Sequence, residues 1–158
     1  MAILREYKPR LEENGLITMA EQGLFRSESR RITSSGAAAR MFSEVFGMKY
    51  EAEEVFVCAC LNSRGDVVGM FRTCSGSSNN CMFSIREFCK KVLLLNAVSV
   101  IVAHNHPGGT CSPSSEDRDL TKSLQEALKL LDVGFLDHII IPAFSGDYCS
   151  FREEGYLP

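Results

Sequence analysis

The sequence predicts an α/β domain in which a mixed β-sheet is flanked by helices. Three observations carry that reading. Apolar runs rich in β-branched residues, such as "VFVCACL" and "VSVIVA", have the length and composition of strands buried on both faces. Between the runs lie stretches with apolar residues at helical spacing, each opened by a serine. One pair of runs is separated by a tight turn, so a hairpin is added to the loose alternation of strands and helices.

Taken in order, residues 1–31 are charge-rich and irregular in pattern. "ILREYKPRLEENG" supplies one extended segment ending at Gly15, and "ESRRITSSG" reads as a connector. A short helix follows over "GAAARMFSEVF", with Ser34 or Ser35 as its N-cap. Glu54–Asn62 form a buried strand, Ser63–Asp66 a turn, and "VVGMFRTC" the returning strand. "SGSSNN" (Ser75–Asn80) reads as a flexible loop. "SIREFCKKVLLLNA" is a helix, with Ser84 and Glu87 as a capping box and Phe88, Val92 and Leu95 as its stripe. Val98–Ala103 form a second buried strand that runs straight into His104. A helix beginning between Pro113 and Ser115 keeps Leu120, Leu124, Leu128 and Leu131 on one face. "GFLDHIIIP" is another strand, and "GDYCSFREEGYLP" gives a turn, a short strand and a last helical turn capped by Ser150 with Glu153. The expected division is an N-terminal extension over 1–31 and one domain over 32–158.

Composition narrows the function. With 158 residues and 45% apolar content the chain can bury a proper core. A net charge of −3 and the lack of a long basic run weigh against phosphate neutralisation as the main business of the surface. No apolar run approaches the length of a membrane span, and "MAILREYKPR" has no secretory h-region, so a cytoplasmic protein is expected. The seven cysteines include no CxxC pair and read as reduced thiols, buried or incidental. A zinc role for Cys111 lacks the second closely spaced thiol that such sites usually show.

The chemistry concentrates in "HNHPGGTCSPSSED", which holds two of the three histidines. Side chains at i and i+2 of an extended backbone point the same way, so His104 and His106 offer two nitrogens on one side. Gly108, Gly109 and Pro113 let the loop fold back and bring Asp117, on the first turn of the next helix, to the histidines. Two imidazoles and a carboxylate suit Zn²⁺ and leave a fourth tetrahedral position open, as a catalytic zinc requires for its water. A proton acceptor is available in Glu53 or Glu54, at the head of the first buried strand. Ser114 could donate to a developing oxyanion. Each residue also has a plainer reading: Glu54 as a solvated strand start, Ser114 as an N-cap, Asp117 as an acid favoured by the helix dipole, and His138 as a core histidine.

His-x-His, seven residues, then Ser-x-x-Asp, with a glutamate upstream, resembles the JAMM motif of the JAB/MPN metalloproteases. Here it reads His104-Asn105-His106 and Ser114-Ser115-Glu116-Asp117. The blocks "LLLNAVSVIVAHNHPGG", "LDHIII" and "YCSFREEGYL" are similar to the RadC-like branch, and the likeness covers about residues 32–158. It implies an MPN/JAB fold, related in outline to the cytidine deaminases, with His104, His106 and Asp117 as zinc ligands. By the same likeness Glu54 matches the general acid/base better than Glu53, Ser114 matches the serine that assists the oxyanion, and His138 could support the site. There are two departures. Gly108 stands where RadC-like proteins usually carry a serine, and only residues 1–31 stand where a helical DNA-binding-like region would precede the domain.

The expected activity is zinc-dependent hydrolysis of an amide or isopeptide bond in a peptide or protein. The competing class is a binding module whose metal is structural. Association with DNA is suggested by the family's name alone. A nucleobase deaminase would need His-x-Glu and a later Pro-Cys-x-x-Cys, and this chain has neither.

Overall fold

The computed structural model describes residues 1–75 and 83–157. Chain order runs β1 (Ala2–Leu11), β2 (Ile17–Ser27), α1 (Ser35–Phe46), a 3-10 turn (Met48–Tyr50), β3 (Val55–Leu61), β4 (Val67–Ser75), α2 (Ile85–Leu94), β5 (Ser99–His106), α3 (Ser115–Leu130), β6 (Gly134–Pro142) and β7 (Cys149–Ser150). The strands form one seven-stranded sheet in the order β2-β1-β4-β3-β5-β6-β7. β1 with β4 and β5 with β6 are parallel, and the other neighbours are antiparallel. This is the mixed sheet flanked by helices that the sequence predicts. Among the described residues no helix is long and apolar enough to cross a membrane.

The period of two along each strand divides the core into two layers. Val55, Val57, Ala59 and Leu61 of β3 meet Ala38, Phe42 and Phe46 of α1. Phe56, Cys58 and Cys60 face the other way, toward Phe88 and Val92 of α2 and Leu124 and Leu128 of α3. β5 divides likewise, Ile101 and Ala103 to the α1 side and Val100 and Val102 to the α2/α3 side. Parity therefore sends His104 and His106 to the α2/α3 side, and Asn105 to the other.

The N-terminal segment differs from expectation. Residues 1–31 are not irregular: β1 and β2 make a long antiparallel hairpin on the sheet edge, turning at Glu12–Leu16 with Gly15 at φ +82°. Charge hides the strand pattern there, because an edge ribbon leaves much of both faces to solvent. Glu6 is the exception, a buried carboxylate that accepts from Arg72 Nε and Gln22 Nε2 at 2.9 Å each. Arg72 also lies 3.8 Å from Glu51 and so ties the hairpin to the segment before β3.

Smaller differences follow the same physics. β5 does not stop at Ala103 but continues through both histidines, because β6 pairs with it as far as His106↔Pro142. Ser84 accepts from the Glu87 N–H, yet the Glu87 carboxylate turns to Lys90 and does not complete the capping box. After β7 the chain makes turns instead of a helix, although Ser150 Oγ does accept from the Glu153 N–H. Residues 76–82, which take in most of the segment read as a flexible loop, lie outside the described residues.

Candidate metal centre

His104, His106 and Asp117 converge, with one ligand atom from each lying within 4.8 Å of the others. His104 Nε2 is 2.9 Å from His106 Nε2. The Asp117 carboxylate spans both, Oδ1 3.2 Å from His104 Nε2 and Oδ2 3.3 Å from His106 Nε2. β5 supplies the two rings from one face, and the first turn of α3 supplies the carboxylate. A capping box fixes that turn: Ser114 Oγ accepts from the Asp117 N–H at 3.0 Å, and Asp117 Oδ2 accepts from the Ser114 N–H at 2.8 Å.

A ring of hydrogen bonds behind the site fixes which nitrogens carry protons. Thr121 Oγ1 lies 2.6 Å from the Asp117 carbonyl oxygen, which only accepts, so the hydroxyl proton points there. His138 Nδ1, 2.6 Å from the same Oγ1, must then be the donor. Burial, and then the neighbouring His104, hold the His138 pKa well below the ordinary value, so its Nε2 is a bare acceptor. His104 Nδ1, 2.7 Å away, donates to it. His106 Nδ1 donates to the Thr110 carbonyl at 2.9 Å. The Nδ1 of His104 and of His106 is thus committed as a donor, and the Nε2 of each faces the carboxylate.

Such a convergence of basic nitrogens on a carboxylate attracts a positive charge. In its absence a proton serves. Asp117 hydrogen bonding, working against burial, raises the His106 pKa above its ordinary value. Burial alone would raise the Asp117 carboxyl, but bonding to His104 and His106 overrides it and holds the group far below the usual carboxylate range. The donor set, two imidazoles and one carboxylate with their outer nitrogens held as donors, fits Zn²⁺ and leaves room for an open position. The sign of the pH dependence follows. His106 would bind a metal only with its Nε2 bare, so affinity would be full above its raised pKa and fall about tenfold per pH unit below it. Asp117 stays ionised throughout. Chelator competition at pH 6, 7 and 8 is expected to show the weakest zinc binding at pH 6.

Glu54 is exposed and lies two residues before Phe56, whose strand partner is His104. Its charge reaches His106, helping to raise that pKa. Its backbone is held by a residue that sequence reasoning missed. Asn105, between the histidines and buried, accepts from the Val55 N–H at 2.6 Å and donates to the Glu53 carbonyl at 2.9 Å and the Glu51 carbonyl at 3.4 Å. The available signal was a polar side chain inside a buried run, which requires partners. Thr121 was also missed, though it lies one helical turn beyond Asp117. Asp137 was missed as well. It is buried and accepts from Ser35 Oγ, Ser150 Oγ and the His138 and Arg152 N–H groups, which anchors β6 beside His138. Ser114 stands where expected, and its N-cap role is in place. Cys111 lies apart from the donor cluster, packed against the small core of Ile140, Cys149, Phe151 and Leu157.

The RadC-like JAB domain model matches residues 32–156. A UPF0758 protein of Pseudomonas fluorescens is 42% identical over 110 residues, covering 70% of this chain and 48% of that protein. Another, from Burkholderia thailandensis, is 35% identical over 144 residues, covering 90% of this chain and 53% of its own length. A third, from Actinobacillus pleuropneumoniae, is 39% identical over 109 residues, covering 69% and 49%. The chain spans about half the length of these relatives. With the family model matching most of its length and the histidine–carboxylate cluster set within that match, the chain belongs to the RadC-like JAB domain family.

Proposed function

We propose that this protein is a zinc-dependent hydrolase of amide or isopeptide bonds in peptides or proteins. The observation that carries the reading is the donor set: two Nε2 atoms and one carboxylate drawn together, with the outer nitrogens of both rings committed as donors. His104, His106 and Asp117 hold the ion. When bound, zinc supplies Lewis acidity, which lowers the pKa of a water and polarises a carbonyl. Glu54, whose charge reaches His106, takes a proton at its carboxylate and returns it to the leaving amine. Ser114 Oγ accepts from the Asp117 N–H, which leaves its own proton to donate to a developing oxyanion. Asn105 holds the backbone on both sides of Glu54. We place the protein in the cytoplasm on its free cysteines, among them Cys58, Cys60, Cys89, Cys111 and Cys149.

Elemental analysis of the purified protein beside a His106→Ala variant tests the centre. About one zinc per chain, lost in the variant, is the expected result. No metal in either protein after zinc is added back would overturn the reading.

A further inference from the structure

Two aromatic side chains stand in solvent near the end of β5 that carries His106. Tyr50 is 76% exposed and Phe144 is 82% exposed, and their rings meet edge to face with centroids 5.7 Å apart. They are joined to the site through the backbone. β6 ends at Pro142, opposite His106. The next residue, Ala143, donates its N–H to the His106 carbonyl at 3.1 Å, and Phe144 donates its N–H to the Lys49 carbonyl at 3.3 Å. Tyr50 follows Lys49 and leads into Glu51–Glu54.

The exposure is held against a conformational cost. Phe144 has φ +52°, in the left-handed region. The other two non-glycine residues there among the described residues, Asn96 and Asp132, follow helices and have short polar side chains that tolerate it. A phenylalanine has no such excuse. Nothing in the core is gained, since the ring is outside it. Strain kept at a position that buries nothing points to a role for the exposed ring.

We infer that Tyr50 and Phe144 form a docking platform for one apolar side chain of an extended peptide that enters the candidate site. The inference rests on the proposed hydrolysis of peptide bonds, because the platform's backbone link to His106 and its place in the chain just before Glu54 name its occupant. Charge refines the occupant. Glu51, Glu53 and Glu54 follow Tyr50 directly, so an acidic residue at the docked position is repelled while an aromatic or aliphatic one packs against both rings.

The test uses acetylated, amidated pentapeptides Gly-Gly-X-Gly-Gly, with X phenylalanine, leucine, glycine or glutamate, added to the zinc-supplemented full chain. Binding is read by the ring-proton shifts of Phe144 and Tyr50, and cleavage of the same peptides by mass spectrometry. The phenylalanine and leucine peptides are expected to move both rings and to bind about fivefold or more tightly than the glycine peptide. Phe144→Gly removes the ring and suits the positive φ. This variant is expected to lose the preference while its melting temperature holds or rises, and a merely structural ring would give a fall. Unmoved rings with every peptide, or an undiminished preference in Phe144→Gly, would overturn the platform. Selective binding without cleavage would leave the platform standing and count against hydrolysis. Cleavage indifferent to X would do the reverse.

Discussion

Replacement of Glu54 by glutamine is expected to lower hydrolysis of any peptide the protein cleaves by about 100-fold or more, with zinc content unchanged. Glutamine keeps the size of the side chain but cannot take the proton from an attacking water. The backbone that carries it is held by Asn105 through Val55 and Glu53, contacts the substitution does not touch. The carboxylate is not a member of the His104–His106–Asp117 cluster, so metal content and turnover separate in this variant. Retained turnover in a zinc-loaded Glu54→Gln protein would remove Glu54 from the reaction and return it to the status of a solvated strand start.

The second large effect concerns His138. Replacing it with phenylalanine is expected to weaken zinc affinity about 10–100-fold, measured by competition with a chelator. The new ring can keep the stacking on Phe151, whose centroid lies 4.5 Å from that of His138, and the edge contact with Phe56 at 5.4 Å. It cannot accept from His104 Nδ1, so nothing holds the His104 Nε2 lone pair toward Asp117. Thr121→Val provides a second variant that keeps the shape of the core and deletes only the hydroxyl. It is expected to weaken zinc binding in the same direction. Wild-type affinity in both variants would reduce His138 to a core residue.

The centre was legible because its spacing is local. Two histidines two residues apart on a strand must share a face, and a glycine-rich return to a serine-capped helix brings Asp117 back. What stands behind them was not legible. The His104–His138 bond requires β6 to lie parallel to β5 with Val102 opposite His138, and no spacing within either segment encodes that register. The Thr121 bond requires α3 to cross the same face. The hairpin of residues 2–27 was missed for another reason: its alternation is blurred by charges that an edge ribbon leaves in solvent, and its buried Glu6 is legible as interior only once Arg72 is seen beside it. The Tyr50–Phe144 pair depends on a backbone angle, which residue type alone argues against.

Asp117 is at once the lid of a helix and one wall of the donor cluster. The carboxylate that accepts from the Ser114 N–H through Oδ2 is the one aimed at both imidazoles. Occupancy of the cluster and order in the first turn of α3 are therefore thermodynamically linked. A cation that binds the folded chain and not the unfolded one adds stability by mass action, about 2.7 kcal/mol when its free concentration is 100 times its dissociation constant. With a cation held by the cluster, the persistence of this domain would vary with the free metal around it.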